Sequence, residues 1–234
     1  GYFYRNLDEI WVIARRKERL ELLSEESRVP LRIFVGDLMK KPVYKEYHRT
    51  LRELSPDVRM LVNAAGFGKS GTFSDIAEDG RKIQTDMVDL NCRALTRMTQ
   101  MTLPYMGCGS RIINLASAAA FCPQPGFAVY AATKSYVLSF SRALGAELKY
   151  RGISVTAVCP GPVNTEFFDV SGPLTSPLKK LTLARPSRVV HRALKDSRKR
   201  KSLSVYGAAM KTVRLGTKLI PHSLILQAEE FMTE

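Results

Sequence analysis

Tyr130 and Lys134 are four residues apart in the stretch VYAATKS, residues 129–135, with small residues between them. On a helix this spacing places a phenol and an ammonium group on the same face, one turn apart. A free tyrosine has a pKa near ~10, and a neighbouring cation favours the phenolate and lowers that value. We therefore expect Lys134 to lower the pKa of Tyr130 and to make it a proton donor. The pair alone is weak evidence, because a chance match is common in a chain of this length.

The sequence on either side of the pair alternates between predicted strands and predicted helices. Short apolar runs rich in branched residues predict buried strands, and apolar residues at helical spacing predict helices. Strands that alternate with helices indicate a parallel sheet with helices on both faces. The predicted strands are 10–14, 31–37, 58–66, 110–117 and 152–161, and the predicted helices are 15–26, 42–54, 80–106 and 129–150.

The pattern is weaker after residue 161. A stretch rich in Pro, Gly and Ser predicts a loop. It is followed by a predicted helix over 186–195, a strand within 202–207 and a basic amphipathic helix over 207–220.

In a parallel sheet of this type the ligand binds at the carboxyl ends of the strands. Polar and small residues follow the predicted strands at this edge: Ala14-Arg15-Arg16, Asp37-Leu38, Asn63-Ala64-Ala65-Gly66, Ser117 and Pro160-Gly161. A structural role is open for each candidate. Tyr130 could be a packing aromatic, Lys134 a surface lysine, Ser117 a cap for the turn after its strand, and Asn91 a partner for backbone groups inside a helix.

These residues carry a resemblance to a known family. The elements are NAAG at 63–66, Asn91 in a long helix, INLAS ending at Ser117, YAATK at 130–134 and PGPVNT at 160–165. In type, order and spacing they resemble the classical short-chain dehydrogenase/reductase family, over about Ile10 to Thr165. The resemblance implies an α/β fold with a Rossmann-type doubly wound parallel sheet and helices on both faces. It also implies a single NAD(P)-binding domain over 1–234, with a substrate-covering loop and helix at about 162–195 and a C-terminal strand and basic tail at about 202–234.

The resemblance implies a role for each catalytic candidate. Tyr130 is expected to act as general acid and base, and Lys134 to tune it while holding the nicotinamide ribose. Ser117 is expected to bind the substrate oxygen, as a preorganised donor should. Asn91 is expected to hold a water that links Lys134 to solvent.

The resemblance also implies a dinucleotide cofactor. A carboxylate after the first predicted strand would favour NAD(H), but Arg15 and Arg16 follow Ala14 there, and two cations suit a 2′-phosphate. NADP(H) is therefore expected over NAD(H). The further cofactor contacts are expected from Asp37 and Leu38 beside the adenine, from Asn63, Ala64 and Gly66 along the cofactor wall, and from Tyr130, Lys134, Pro160, Gly161, Val163 and Thr165 near the nicotinamide and phosphates.

The sequence departs from the family pattern at its start. The opening strand and the turn of the type T-G-x-x-x-G-x-G, which places backbone N–H groups against the pyrophosphate, are missing from these 234 residues. Either the segment exists in the molecule outside them or it is truly lost. A loss would leave unpaired ladder groups and a hole in the core, so we expect the first.

Composition narrows the function classes. Hydrophobic content is 45% and charged content 25%, which is typical of a globular protein. No apolar run approaches the ~20 residues that span a bilayer, and no signal peptide is recognisable, so a cytoplasmic protein is expected. The four cysteines and three histidines have no metal-ligand spacing, so no metal site is predicted. GFGKS at 66–70 lacks the first glycine of a phosphate loop, and Gly68-Lys69-Ser70 is interpreted as a surface turn.

The expected function is an NADP-dependent oxidoreductase that reduces a carbonyl or oxidises a secondary alcohol. The alternative is a regulatory protein that binds NADP(H) without turnover. Apolar residues in the predicted substrate loop suggest an apolar substrate: Phe167, Phe168, Val170 and Leu174. A homodimer or homotetramer is expected through the two long helices. The net charge of +14 leaves peripheral membrane contact by the basic tail open, and no nucleic-acid module accompanies it.

Overall fold

The computed structural model describes residues 7–79, 82–167, 171 and 183–231. The chain divides into two compact units, Gly1–Asp57 and Val58–Glu234. In both units parallel strands alternate with helices. The predicted α/β fold is therefore confirmed. The predicted substrate-loop residues Phe168, Val170 and Leu174 lie outside the described residues.

The first unit is a strand–helix–strand–helix segment. Its elements are β1 (Ile10–Ala14), α1 (Lys17–Glu26), β2 (Leu31–Val35) and α2 (Lys41–Leu54). β1 and β2 pair in parallel, with Ile10 opposite Leu31. Trp11, Phe34 and Tyr47 form an aromatic core with ring centroids 5.5 to 5.7 Å apart. Burial of these rings holds α2 against β2, since large aromatic side chains dominate core energetics.

The second unit contains a parallel sheet in the order β3-β4-β5-β6. The strands are β3 (Met60–Asn63), β4 (Arg111–Leu115), β5 (Ser154–Val158) and β6 (Leu203–Ser204). The apolar side chains of β4 and β5 alternate between two buried clusters. Ile112 and Val155 pack with Leu144, whereas Ile113 and Val158 pack with Val189. Both faces of the sheet are therefore covered by helices, as uninterrupted apolar strands predict.

The helices of the second unit agree with the sequence except around the long helix predicted over 80–106. That segment is helical from Ile83, but a π-helical turn at Asp89–Ala94 interrupts it, because Asn91 projects from there to a neighbouring loop. Two helices, Phe73–Asp79 and His222–Phe231, are not among the predicted elements. The elements are α3 (Phe73–Asp79), α4 (Ile83–Val88), α5 (Leu95–Thr102), α6 (Ala128–Glu147), α7 (Pro186–Arg198), α8 (Ala208–Leu219) and α9 (His222–Phe231), with 3₁₀ turns at Leu103–Tyr105, Ala118–Phe121 and Leu148–Arg151.

Among the described residues, no helix combines the length and the apolar character needed to cross a bilayer.

Candidate active site

Ser117 and Tyr130 meet at the carboxyl edge of the second unit's sheet. Ser117 follows β4 by two residues and caps the 3₁₀ turn at Ala118–Phe121, where its Oγ accepts a 3.2 Å hydrogen bond from the Ala119 amide. The Ser117 side chain also favours the phenolate of Tyr130, in the first turn of α6, through a polar interaction. The serine therefore has both its predicted site position and the capping role that the sequence left open.

Tyr130 is enclosed by aromatic rings. Its ring centroid lies 4.3 Å from that of Phe127 and 5.4 Å from that of Phe167, and only 7% of the residue is exposed. Burial raises the pKa of Tyr130 to about 12, because the phenolate would lose its hydration. The expectation that the pKa of Tyr130 is lowered is therefore wrong. The effect of burial is larger than the opposite effect of the interaction with Ser117.

Lys134 lies one turn further along α6 and is buried. Its Nζ is 5.6 Å from the centre of the Tyr130 ring and donates a 2.8 Å hydrogen bond to the Leu115 carbonyl. Burial lowers the pKa of Lys134 to about 8, because the ammonium group is taken out of water. An ammonium group has three N–H donors, and this is its one hydrogen bond within the described part of the chain. The remaining donors suit a ligand rich in hydroxyl groups.

Asn91 links α6 to the loop after β3. Its amide oxygen accepts a 3.0 Å hydrogen bond from the Phe67 amide, and its Nδ2 donates to the Phe67 carbonyl at 2.9 Å and to Thr133 Oγ1 at 3.0 Å. Thr133 in turn donates to the Tyr130 carbonyl at 2.8 Å. The π-helical turn, a feature frequent at functional sites, projects Asn91 to make these bonds. Asn91 thereby positions the turn of α6 that carries Tyr130, and its predicted water relay stays a prediction.

The loop after β3 approaches the site closely through glycines. A Cβ on Gly66 would lie 2.7 Å from Asn91 Oδ1 and 3.4 Å from Lys134 Nζ. A Cβ on Gly68 would lie 2.8 Å from both the Tyr130 and the Phe167 rings. The interpretation of 68–70 as a surface turn is therefore wrong for Gly68, which is buried against the aromatic rings. Its contacts come from long-range packing, which the local pattern does not encode.

Asn63 faces the interior instead of an open cofactor wall. Its Nδ2 donates to Thr99 Oγ1 at 3.0 Å and to Asn114 Oδ1 at 2.8 Å, and Asn114 donates to Ser141 Oγ at 2.9 Å. This buried network joins β3, β4, α5 and α6. Thr99, Asn114 and Ser141 are not among the predicted site residues, although the one polar residue inside the run IINLA, 112–116, was a usable signal for Asn114. Ala64 and Gly66 remain exposed after β3.

The segment after β5 closes another side of the site. Pro160 accepts a 2.8 Å backbone hydrogen bond from the Ala118 amide, and Val163 forms a parallel bridge with Ala184. Thr165 Oγ1 accepts from the Phe167 amide at 3.3 Å and thus holds the loop that brings Phe167 to Tyr130. Gly161 contacts α8, since a Cβ there would lie 2.6 Å from Met210 Sδ.

The remaining predicted cofactor residues lie in the first unit. Arg15 and Arg16 follow β1 and are exposed, and Arg16 is the N-cap of α1. Asp37 and Leu38 follow β2 at the same edge, and the Asp37 carboxylate accepts a 2.9 Å hydrogen bond from the Met39 amide. The first unit therefore brings these residues together beside its own strand ends.

The site geometry agrees with a comparison against protein families. A family model described as short chain dehydrogenase matches residues 3–173. The chain belongs to the short-chain dehydrogenase family. The resemblance inferred from the motifs is thereby confirmed, and the chain is a member of a family of oxidoreductases.

Relatives within this family include reductases. The chain is 36% identical over 159 residues to sulfoacetaldehyde reductase of Chromohalobacter salexigens, which covers 66% of this chain and 62% of that protein. It is 32% identical over 174 residues to very-long-chain 3-oxoacyl-CoA reductase of Anas platyrhynchos, covering 70% and 55%. The matches thus span less than two thirds of the length of these relatives.

A solved short-chain dehydrogenase from Sphingobium yanoikuyae, in complex with NADPH, has a TM-score of 0.74 and 27% identity. The match covers 97% of this chain and 86% of that one. A bulky-bulky ketone specific alcohol dehydrogenase from Comamonas testosteroni has a TM-score of 0.69 and 25% identity, covering 97% and 84%. These structures share the fold of this short-chain dehydrogenase.

Proposed function

We propose that the protein is an NADP(H)-dependent oxidoreductase that interconverts a carbonyl and a secondary alcohol. The observation that carries the proposal is the convergence of Ser117, Tyr130 and Lys134 at one strand edge. The Ser117 side chain interacts with Tyr130 and favours its phenolate, and the Lys134 ammonium group lies 5.6 Å from the centre of the Tyr130 ring. These neighbouring side chains would supply an oxygen-binding hydroxyl, a proton donor and a cation.

Each side chain has a defined task in this chemistry. The Ser117 hydroxyl would donate to the substrate oxygen and stabilise the negative charge that develops on it. Tyr130 would give its proton to that oxygen, or take it in the reverse direction. The pKa of about 12 keeps Tyr130 protonated near neutral pH, which suits a donor in carbonyl reduction. Bound NADP(H) would supply or accept the hydride.

The residues present fit a dinucleotide. Lys134 keeps two N–H donors without an acceptor among the residues that the structure describes, and these suit the hydroxyl groups of a ribose. The exposed small residues Ala64 and Gly66 leave room for a flat group to approach the backbone. The similar Sphingobium structure is a complex with NADPH.

Arg15 and Arg16 support the preference for NADP(H). Their guanidinium groups follow β1 in place of a carboxylate, and guanidinium groups bind phosphate in a bidentate manner. Replacing both by alanine should raise the KM for NADPH at least ~10-fold and leave that for NADH almost unchanged. Arg28→Ala, at the opposite end of α1, is the matched control. An equal loss for both cofactors would contradict the preference.

The rings around Tyr130 favour an apolar substrate. Phe127 and Phe167 flank the proton donor, and burial beside them favours carbon chains over charged groups. A bulky ketone or a 3-oxoacyl chain fits this environment better than a small sulfonate does. We expect kcat/KM for a long-chain ketone to exceed that for sulfoacetaldehyde at least ~10-fold, which corresponds to a few buried methylene groups. The opposite ranking would refute the substrate class.

The catalytic assignment is tested with Tyr130→Phe. The change removes the proton donor but keeps the ring and its packing, so turnover should fall at least ~100-fold. NADPH binding, followed by its fluorescence, should change little. Tyr150→Phe is the control, because Tyr150 is 86% exposed. Unchanged turnover in Tyr130→Phe would refute the assignment. NADPH binding without any turnover by the wild type on a broad carbonyl panel would indicate the regulatory alternative.

A further inference from the structure

Helix α8 carries large apolar side chains that face solvent. Leu215 is 58% exposed and Leu219 is 75% exposed, and α8 buries none of its residues. Ile220 and Leu224 follow it and are 47% and 54% exposed. Single exposed leucines are ordinary, but a close succession of them at the end of one unit indicates an interaction surface.

The leucines of α8 share one side of the helix with lysines. Leu215 and Leu219 are one turn apart, Lys211 lies one turn before Leu215, and Lys218 lies next to Leu219. At 3.6 residues per turn these four side chains fall within an arc of about 100°. All four are exposed. We call them the α8 face.

The opposite side of α8 is attached to the body of the second unit. Met210 packs against the cluster that contains Val137, Cys159 and Val205, and it lies directly over Gly161. The orientation of the helix is therefore fixed, and the α8 face points outward because its other side is packed.

We propose that the α8 face docks the protein on an anionic lipid surface. Leucines flanked by lysines are typical of helices that lie in a membrane interface, where the apolar side chains enter the acyl boundary and the ammonium groups meet acidic headgroups. The net charge of +14 adds attraction toward such a surface. A second copy of the chain fits less well, because a two-fold contact would bring the lysines of both copies together.

Docking at α8 gives the apolar site a source of substrate. The helix contacts Gly161, in the segment that leads to Phe167 beside Tyr130. A lipophilic carbonyl compound dissolved in the lipid would therefore be close to the segment that leads to Phe167 and Tyr130. The docking itself does not depend on the proposed reaction, and its test uses no activity measurement.

The test is cosedimentation of the full chain with vesicles. Wild-type protein should bind vesicles that contain about 30% phosphatidylserine and should bind pure phosphatidylcholine at least ~10-fold more weakly. Leu215→Ser with Leu219→Ser should weaken binding at least ~10-fold, because the inserted apolar area is lost. Lys211→Gln with Lys218→Gln should weaken binding by a similar factor and reduce its salt dependence.

Matched controls distinguish binding through the α8 face from binding caused by the overall positive charge of the protein. Val213→Ser changes an exposed apolar residue on another side of α8, and Lys195→Gln with Lys199→Gln removes the same charge from the end of α7. Both controls should bind vesicles as the wild type does, with unchanged circular dichroism in all variants. Equal binding by the leucine variant, or a lysine effect matched by the α7 control, would overturn the proposal. Absent vesicle binding, with a leucine variant that changes only the oligomeric state, would instead indicate contact between copies.

Discussion

The ammonium group of Lys134 donates a 2.8 Å hydrogen bond to the carbonyl of Leu115, the last residue of β4. This bond joins the helix that carries Tyr130 to the strand that leads to Ser117. It also keeps a cation in a buried position, which costs stability unless a partner compensates the charge. The site therefore holds a buried charged group that folding disfavours.

Lys134→Met should stabilise the protein while abolishing turnover. Burial lowers the pKa of Lys134 from 10.5 to about 8, so the unfolded chain binds more protons between these values and the cost is full below about pH 8. Removing the charge, less the lost hydrogen bond, should raise the free energy of unfolding by roughly 2 kcal/mol at pH 7. The gain should vanish as the pH rises toward 10.5. Chemical denaturation at pH 7 and at pH 10 checks this, and a gain independent of pH would contradict it.

Gly66→Ala should reduce activity more than stability. The added Cβ would lie 2.7 Å from Asn91 Oδ1 and 3.4 Å from Lys134 Nζ, so one of these groups must move. We expect a fall in kcat of at least ~10-fold, because a small displacement of site groups has a large effect on rate. Gly107→Ala is the control, since a Cβ there meets no atom within 4 Å. Equal activity of the two variants would contradict the prediction, because it would show that the loop after β3 accommodates the Cβ without displacing Asn91 or Lys134.

Asn91→Ala should destabilise the second unit. It leaves the Phe67 amide and carbonyl and the Thr133 hydroxyl without their bonds to Asn91. Each buried group that loses its partner costs about 1–3 kcal/mol, so the free energy of unfolding should fall by roughly 3 kcal/mol. Asn164→Ala, at an exposed position, should have little effect. Thermal unfolding of both variants measures the difference, and similar midpoints would argue against the positioning role of Asn91.

Phe127→Ala should lower the pKa of Tyr130 from about 12 toward the ordinary value of 10. The ring of Phe127 lies 4.3 Å from that of Tyr130, and its removal would admit water to the phenol. The raised pKa adds stability that is complete below pH 10 and is lost as the pH approaches 12. Ultraviolet titration of tyrosinate, with Tyr130→Phe subtracted, gives the pKa. An unchanged pKa of Tyr130 in Phe127→Ala would contradict this prediction and would show that other neighbours raise the pKa.

The sequence predicted the strands and the order of the site residues because both depend on local patterns. The apolar runs of β4 and β5 determine a buried parallel sheet, and INLAS and YAATK place Ser117 and Tyr130 at its edge. The pKa of Tyr130 could not be predicted, since it depends on enclosure by Phe127 and Phe167, the latter 37 residues away in the sequence (167 against 130). The spacing with Lys134 showed a nearby cation but not the burial that outweighs it.

The π-helical turn at Asn91 and the tight packing of Gly68 were also beyond local patterns. A π-helical turn shifts the apolar repeat by a single residue, a change too small to distinguish in the apolar spacing over 80–106. The widened turn accompanies a bond between Asn91 and Phe67, which are 24 residues apart in the sequence. Asn63 illustrates the same limit, since its motif predicts a position beside the cofactor, whereas its amide group is bonded to Thr99 and Asn114.

The aromatic core of the first unit contains the single tryptophan of the chain. Trp11 packs on Phe34 and Tyr47, beneath the guanidinium group of Arg32. Its fluorescence therefore reports on the first unit alone, whereas far-ultraviolet circular dichroism reports on all helices. Comparing the two signals during denaturation would reveal whether the two units unfold together or in succession, without any label.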